Sequence, residues 1–262
     1  MKNWIHAAGL LALVSTALTC RADLPATIAK LKPSILIVGT YKETSSPRFN
    51  LRGTGFVVAS SGLATSNLAI TNAHVLPDVN PAEADPAQVV LQVRNGQNEL
   101  SARRVTVLEV DKAHDLALLK FDGSAVPAMA LRGAEPVREG QNVALMGFPI
   151  GGALGFSPVT HRGTISSITS VAIAPGSSRQ LNAAAVRALR DGNFEVYQLD
   201  ATAYPGNSGG PLFDPESGEL LGVINSVFVK GSRESALTSP SGITYAIPVQ
   251  FVRELLLRNQ GK

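Results

Sequence analysis

The stretch Gly206-Asn207-Ser208-Gly209-Gly210-Pro211 sets a serine among glycines, directly before the apolar pair Leu212 and Phe213. Glycine adopts backbone conformations that other residues avoid, and it lets a second backbone approach closely. The stretch therefore predicts a sharp turn that presents the Ser208 hydroxyl beside backbone N–H groups and then leads into a β-strand. Taken alone, the same pattern is also typical of an ordinary hairpin loop.

Short runs rich in Val, Ile, Leu and Thr fill the chain on both sides of this turn, with Gly, Pro, Asn or Ser between them. Runs of this kind predict β-strands. The predicted strands are 34–40, 55–60, 69–72, 89–93, 103–110 and 116–121, then 142–147, 163–173, 194–199, 210–213, 220–229 and 243–247. Two groups of six predict an all-β fold of two six-stranded antiparallel barrels, at about 33–122 and about 136–247.

Three further segments predict helices. Residues 24–31 form a short amphipathic pattern that ends before a proline, and residues 183–190 lie between an asparagine and a glycine that suit the two ends of a helix. In residues 248–259 apolar side chains recur at helical spacing, and Pro248 suits the first position of a helix. We expect this C-terminal helix to pack against the second barrel.

The first 22 residues differ from the rest of the chain. Lys2 is followed by an apolar run over residues 7–18 and by Cys20-Arg21-Ala22, a pattern typical of a signal peptide and its cleavage site. The run is shorter than the roughly 20 residues that a helix needs to span a bilayer. We expect cleavage to release residues 23–262 into the periplasm or outside the cell, without stable membrane insertion. A lipid anchor on Cys20 stays open as an alternative.

Composition excludes several classes of function. Cys20 is the only cysteine, so a chain cleaved after Ala22 has neither disulfide bonds nor a thiol nucleophile. The 23 basic and 20 acidic residues are spread along the sequence rather than gathered into the dense patch that nucleic acid requires. The four histidines and the cysteine show no HxxxH or CxxC spacing. We expect no nucleic-acid partner, no metal and no cofactor.

Two more segments supply what amide hydrolysis needs beside a nucleophile, namely a base and a group that orients the base. Thr71-Asn72-Ala73-His74-Val75 places a histidine at the end of a predicted strand, and histidine suits a general base near neutral pH. His114-Asp115-Leu116 places a carboxylate just before another strand, where it can accept an imidazole N–H. Each segment alone is also typical of a structural residue.

The combination is more specific than its parts. His74 and Asp115 fall in the predicted first barrel and Ser208 in the second, so a site built from them would lie at the seam. With Arg52-Gly53-Thr54-Gly55-Phe56-Val57, Gly147-Phe148-Pro149 and residues 159–166, 198–211 and 242–248, these segments resemble the chymotrypsin-like serine proteases, specifically the HtrA/Deg family of envelope proteases. The resemblance covers roughly residues 24–257.

This resemblance implies a trypsin-like serine endopeptidase that cleaves unfolded or exposed proteins and peptides through an acyl-enzyme intermediate. His74, Asp115 and Ser208 would be the catalytic triad. Gly206, Asn207 and Ser208 would form the oxyanion hole, with the amides of Gly206 and Ser208 as donors. Digestive relatives carry Asp at the position of Asn207 and pair it with a new N-terminus, so the resemblance implies that this type of zymogen activation is not used.

The substrate pocket is also assigned by resemblance. Thr202 would lie at the base of the pocket, where trypsin-like enzymes that cleave after Arg or Lys have Asp. Ile243 and Tyr245 would narrow the pocket and favour small or medium apolar residues, although apolar strand residues also serve as interior packing. His161 is either a residue that recognises an acidic substrate side chain or, as we favour, a surface histidine.

Departures from the family lead to further expectations. Typical HtrA proteins carry PDZ domains after the protease, and here we expect the protease domain alone. Many relatives assemble as trimers, which makes a homotrimer an expectation for this chain as well. Residues 183–190 resemble an insertion that either covers the cleft or is an inert surface excursion. A protein-binding holdase with a catalytically silent site is the alternative function.

Overall fold

The computed structural model describes residues 23–59, 63–77, 87–95, 99–152, 155–170, 194–225 and 243–260. Among these residues, two α-helices bracket the strands, α1 (Leu24–Leu31) and α2 (Val249–Arg258), and three short 3₁₀ helices cover Lys32–Ser34, Ala73–Val75 and Pro149–Gly152. The strands are β1 (Ile35–Tyr41), β2 (Phe49–Val58), β3 (Thr65–Ser66), β4 (Leu68–Asn72), β5 (Gln88–Arg94), β6 (Leu100–Asp111), β7 (Leu116–Phe121), β8 (Val126–Pro127), β9 (Asn142–Gly147), β10 (Val159–Ser170), β11 (Glu195–Asp200), β12 (Pro211–Phe213), β13 (Leu220–Asn225) and β14 (Ile243–Pro248).

Twelve of these strands close into two antiparallel barrels. The order around barrel one is β1-β2-β4-β7-β6-β5, and around barrel two it is β10-β11-β14-β13-β12-β9. Numbered within its own barrel, each set of six follows the same circular order, so the two halves share one topology. The predicted fold of two six-stranded barrels with a C-terminal helix is confirmed. A small additional sheet pairs β3 with β8 and was not predicted.

Both faces of the central strands are buried, and each face serves a different core. In β7, Leu116 and Leu118 join a cluster shared by the two barrels and α2, whereas Ala117 and Leu119 fill the interior of barrel one. A third cluster fills barrel two. Because successive side chains of a strand point to opposite faces, a strand with two cores needs a continuous apolar run. The Leu116–Phe121 sequence has this character.

Some boundaries differ from the predictions. β2 begins at Phe49 rather than at residue 55, because its first half, in which Phe49 and Leu51 alternate with polar residues, also pairs with β1. Pro248 is the last residue of β14, opposite Gly222, and caps α2 instead of occupying its first turn. The predicted helix at 183–190 and the ends of two predicted strands, 171–173 and 226–229, lie outside the described residues.

Helix α2 packs on β13 and β14 of barrel two, as expected, and also reaches barrel one. The ring of Phe251 stacks on His114, with ring centroids 4.0 Å apart. Arg258 donates hydrogen bonds to Glu109 and to Asp111, each at 2.9 Å. The helix therefore ties the end of β6 and the turn after it to the second barrel. Within the described part of the chain, no helix is long and apolar enough to cross a bilayer.

Asp111 makes this attachment sensitive to acid. Burial by itself raises the pKa of Asp111, but hydrogen bonds from the side chain and backbone N–H of His114 and from Arg258 outweigh burial, so the pKa lies below its ordinary value of 3.8. A carboxyl group with a lowered pKa binds a proton more readily in the unfolded chain. Its stabilising contribution is thus present above the ordinary pKa and is lost as the pH falls through the folded-state value.

We expect Asp111→Asn to lower the free energy of unfolding at neutral pH, with the difference from the parent shrinking as the pH falls from about 5 towards about 3. Urea unfolding at several pH values measures this difference. Asp122→Asn, at an exposed aspartate of the same barrel, is the control and should show little change at any pH. If the difference in free energy of unfolding between Asp111→Asn and the parent stays constant down to the lowest pH, the stabilising role assigned to the ionised Asp111 is contradicted.

Candidate active site

His74 lies in the 3₁₀ helix that begins where the apolar strand β4 ends. Its Nδ1 is 2.6 Å from Oδ2 of Asp115, and its backbone N–H donates to Oδ1 of the same carboxylate at 2.9 Å. Because an ionised carboxylate only accepts hydrogen bonds, this contact places the imidazole proton on Nδ1 and leaves a lone pair on Nε2. The side chain is 31% exposed, so a molecule in solvent can reach it.

Asp115 is the last residue of the turn between β6 and β7, and its φ of 51° is in the left-handed region. Aspartate tolerates this conformation better than most residues. The main-chain carbonyl of Asp115 accepts hydrogen bonds from Asn72 Nδ2 at 3.0 Å and from the Ala73 N–H at 3.1 Å. Both the backbone and the side chain of Asp115 therefore bind the segment that carries His74.

Asn225, the last residue of β13, brings barrel two to the same carboxylate. Its Nδ2 donates to Oδ2 of Asp115 at 2.7 Å, and the residue is fully buried. Asp115 Oδ2 therefore faces both the His74 ring and a fixed amide from the other barrel. Asn225 was not among the residues predicted from the sequence. The signal was a polar residue at the end of the apolar run Leu220–Asn225, where a buried amide needs a hydrogen-bond partner.

Ser208 lies in the loop between β11 and β12 and is 6% exposed. Its carbonyl accepts a hydrogen bond from the N–H of Thr54 in β2, and the next residue, Gly209, donates to Ile224 in β13, both at 2.9 Å. Gly209 has a φ of 82°, and a Cβ there would lie 2.2 Å from the Thr54 carbonyl and 2.3 Å from Thr71 Oγ1. Only glycine fits this position, because the loop is pressed against both barrels.

The strands that hold this loop also carry the groups around the histidine and aspartate. Ile224 directly precedes Asn225, and Thr71 lies at the end of β4, just before His74. The structure thus brings the Ser208 loop and the histidine–aspartate pair to one end of the seam between the barrels. Such an arrangement offers a hydroxyl, an imidazole with a lone pair on Nε2 and a partly buried carboxylate within one site, the groups that acyl transfer uses.

The oxyanion segment predicted at Gly206, Asn207 and Ser208 forms part of this loop. Asn207 is fully buried, and its backbone N–H is engaged within the loop, donating to the Tyr204 carbonyl at 3.0 Å. Among the described residues, neither polar atom of the Asn207 side chain has a hydrogen-bond partner. An aspartate here would be a buried charge without a counter-ion, which costs far more than a buried amide.

The three residues predicted to line the substrate pocket occupy neighbouring segments. β14 pairs with β11 so that Ile243 lies opposite Asp200 and Tyr245 opposite Gln198. Ile243 is 45% exposed, whereas Thr202 and Tyr245 are partly buried.

Thr244, which lies between Ile243 and Tyr245, was not predicted to matter. Its buried hydroxyl donates to the Ala201 carbonyl at 2.6 Å and accepts from the Ala203 N–H at 3.0 Å. The two bonds flank Thr202 and fix that segment of backbone against β14. A buried threonine can be predicted to bond something, but its partners follow only from the register of the sheet.

His161 lies in β10, opposite Leu145, with its ring centroid 6.2 Å from that of Tyr204. It is partly buried rather than on the surface, so that part of our interpretation is wrong. Burial lowers the pKa of His161 below its ordinary value of 6.5. An imidazole of this kind is neutral at pH 7 and offers no positive charge to an acidic substrate side chain. In the described ranges, no three His, Cys, Asp or Glu side chains come together as a metal site.

The sequence profile of the trypsin-like peptidase domain matches residues 53–223, which include all three residues of the site. The chain belongs to the trypsin-like peptidase family. The predicted resemblance to trypsin-like proteases is thereby confirmed.

Individual relatives agree with this assignment. This trypsin-like peptidase chain is 29% identical over 211 residues to a probable periplasmic serine endoprotease DegP-like of Halomonas elongata, covering 80% of this chain and 35% of the relative. It is 31% identical over 206 residues to the mitochondrial serine protease HTRA2 of Drosophila pseudoobscura pseudoobscura, covering 79% and 38%. The chain thus spans little more than a third of the length of these curated relatives.

Solved structures support the fold. The HtrA-type protease AlgW with a tripeptide matches with a TM-score of 0.60 and 24% identity, over 90% of this chain and 62% of the other. The Rv3671c protease from M. tuberculosis in its active form matches with a TM-score of 0.61 and 21% identity, over 90% and 85%.

The hydrogen bond from Asn225 to Asp115 can be tested for its effect on the reactivity of this trypsin-like peptidase. A hydrogen bond to a charged group contributes about 1.5–3 kcal/mol, so we expect Asn225→Ala to slow labelling of the protein by a fluorophosphonate at least about tenfold. The measurement is the labelling rate of folded protein, checked by circular dichroism. Asn142→Ala, at an exposed asparagine in β9, is the matched control and should label at the parental rate. Equal rates for the two variants would show that the Asn225 amide does not act on the site.

Proposed function

We propose that this chain is a serine endopeptidase in which Ser208 is the nucleophile, His74 the general base and Asp115 the group that orients the base. The observation that carries the proposal is the 2.6 Å contact between His74 Nδ1 and Asp115 Oδ2, which leaves Nε2 to take a proton. The exposure of His74 and the tight glycine-flanked loop of Ser208 support the same assignment.

The proposed reaction has two stages. Ser208 Oγ attacks the carbonyl carbon of the scissile peptide bond while its proton passes to Nε2 of His74, and Asp115 stabilises the imidazolium that results. The tetrahedral intermediate collapses to an acyl-enzyme when His74 returns the proton to the leaving amine. Water then attacks the ester with His74 again as the base, and the carboxylic acid product leaves with Ser208 restored.

The oxyanion of each tetrahedral intermediate needs hydrogen-bond donors. We assign this role to the backbone amides of Gly206 and Ser208, since the N–H of Asn207 is used inside its own turn. A preorganised donor of this kind is worth about 3 kcal/mol in the transition state. The buried side chain of Asn207 would then act only by filling the floor of the loop.

Proteins and peptides are the proposed substrates, in unfolded or exposed segments. Thr202 at the base of the pocket supplies no negative charge for Arg or Lys, and the partly buried Tyr245 beside the exposed Ile243 narrows the pocket. Small or medium apolar residues such as Ala, Val or Leu are therefore the proposed preference before the scissile bond. The neutral His161 gives no support to cleavage after acidic residues.

The location and organisation of the protein are part of the same proposal. Residues 1–22 act as a signal peptide and residues 23–262 as an exported protease domain, in the periplasm or outside the cell. The charged start, the apolar run and the periplasmic name of the Halomonas elongata relative support export. A homotrimer stays a prediction, as does a covering role for residues 183–190, which lie outside the described residues.

The first test compares purified mature protein with its Ser208→Ala variant. We expect the parent to react with a fluorophosphonate and to cleave casein, and the variant to lose both activities, because no other group replaces the attacking hydroxyl. Mass spectrometry of the fragments reads the residue preference. A folded parent that neither labels nor cleaves would favour the holdase alternative, in which the protease fold binds unfolded chains without cutting them.

A second test concerns the pocket. We expect Thr202→Asp to move cleavage from apolar residues towards Arg and Lys, because a carboxylate at the pocket base attracts a cationic side chain. A peptide library cleaved by parent and variant measures the shift. Thr202→Ser keeps the hydroxyl without adding charge and should leave the preference unchanged. If Thr202→Asp labels normally but keeps the parental preference, Thr202 does not lie at the base of the pocket.

A further inference from the structure

Thr54, in the centre of β2, is a fully buried hydroxyl at the seam between the barrels. Its Oγ1 donates to the carbonyl of Gly206 at 2.6 Å and accepts the N–H of Phe148 at 3.1 Å. Its own N–H donates to the carbonyl of Ser208 at 2.9 Å. One residue of barrel one thus bonds two carbonyls of the nucleophile loop in barrel two. The catalytic proposal assigns Thr54 no role.

The loop segment that Thr54 holds is a type II turn. The N–H of Asn207 donates to the Tyr204 carbonyl, Pro205 is the second residue, and Gly206 is the third with a φ of 103°. Proline at the second position and positive φ at the third are the marks of this turn type. The central peptide is Pro205–Gly206, and its N–H belongs to Gly206, the proposed oxyanion donor.

A second clamp acts on that central peptide. The N–H of Ile150 donates to the Pro205 carbonyl at 2.7 Å. In a trans peptide the carbonyl and the N–H point in opposite directions. The bond to Ile150 therefore fixes the direction in which the Gly206 N–H points. Ile150 itself has a φ of 58°, an unfavourable conformation for a β-branched residue that surrounding contacts must maintain.

The Thr54 hydroxyl closes these contacts into a ring. The Thr54 hydroxyl joins the Gly206 carbonyl to the N–H of Phe148. The backbone then leads from Phe148 to Ile150, whose N–H bonds the carbonyl of Pro205, the residue before Gly206. The hydroxyl thereby sets the distance between the turn and the segment that carries Ile150. Without it, Gly206 and Phe148 each lose a partner, and only the bond from Ile150 to Pro205 is left in the ring to hold the turn against this segment.

Rotation of the central peptide is the motion that this ring opposes. Type I and type II turns differ by a reversal of that peptide, and Gly206, as a glycine, adopts φ values of either sign. Reversal would direct the Pro205 carbonyl to the side where the Gly206 N–H now points. A carbonyl in that place repels an oxyanion, so the turn type decides whether the site can stabilise a tetrahedral intermediate.

We propose that Thr54 is a positioning residue for the oxyanion hole: its hydroxyl, shared between Gly206 and Phe148, holds the Pro205–Gly206 peptide in the orientation that presents the Gly206 N–H to substrate. The inference rests on the proposed function of Gly206 as a donor. This role requires a hydroxyl group at residue 54, and an apolar side chain of the same size would not supply it.

The test uses the mature protein with Thr54→Val, which keeps the shape and removes the hydroxyl, and Thr54→Ser, which keeps the hydroxyl. Loss of one oxyanion donor costs about 10²–10³ in kcat, so we expect Thr54→Val to lower kcat on a peptide substrate at least about tenfold with KM changed less than about threefold. Thr54→Ser should stay within about threefold of the parent in kcat.

Two ligands separate orientation from simple loss of stability. A peptide boronate bonds to Ser208 Oγ and places an oxygen in the oxyanion hole, whereas a peptide whose scissile carbonyl is replaced by CH₂ places no oxygen there. The affinity of Thr54→Val for the boronate should fall with kcat, while its affinity for the peptide with CH₂ in place of the carbonyl stays unchanged. Thr27→Val, at a buried threonine of α1 whose hydroxyl bonds the Glu216 carbonyl, is the control and should match the parent in both.

Hydrogen exchange gives a readout that does not depend on activity. The Ile150 amide should exchange faster in Thr54→Val than in the parent, Thr54→Ser or Thr27→Val, because reversal of the Pro205–Gly206 peptide breaks the bond from this amide to the Pro205 carbonyl. Unchanged exchange and kcat in Thr54→Val, or equal losses in the Val and Ser variants, would overturn the proposal. The exchange difference between Thr54→Val and the parent could also be found when the parent itself never reacts with the fluorophosphonate. That result would count against the catalytic proposal and would still support the role of Thr54 in holding the turn.

Discussion

The carboxylate of Asp115 is the group on which the rest of the site depends. It binds the backbone and the ring of His74 through its two oxygens and also receives the amide of Asn225 from the other barrel. Its own carbonyl binds the segment just before His74. The Asp115 side chain is 23% exposed, and a carboxylate that is largely withdrawn from water needs such partners to replace its hydration. Satisfying Asp115 therefore places the imidazole and joins the two barrels at one point.

The seam is mainly apolar, and a few polar contacts determine how the barrels meet across it. The apolar cluster shared by β7, β13 and α2 stabilises the contact between the barrels. It does not fix how one barrel is aligned on the other, since apolar contacts have no direction. Hydrogen bonds do have direction. Thr54 aligns the Ser208 loop with barrel one, and the bonds of Arg258 to Glu109 and Asp111 align α2 with the turn before Asp115. The same few residues that fix the barrels also orient the groups proposed for catalysis.

The sequence predicted most of the fold because both cores are encoded as apolar strands separated by turn residues. Twelve strands and the C-terminal helix were found this way, while the first half of β2 was missed because only Phe49 and Leu51 are apolar there and both are only partly buried. For the site, His74, Asp115 and Ser208 stood out through residue type and local context. Asn225 and Thr244 did not, because an amide or hydroxyl in a strand acquires a role only from the residue placed opposite it.

The sequence by itself determined the topology class, the chemical groups available and the order in which they occur along the chain. Those properties follow from hydrophobic periodicity and from residue types, both of which are local. Only the tertiary structure decided that Asn225 binds Asp115 and that the hydroxyl of Thr54 closes a ring around the Gly206 turn. These bonds join residues more than 100 positions apart, and their geometry depends on how the two closed barrels pack, which no local pattern records.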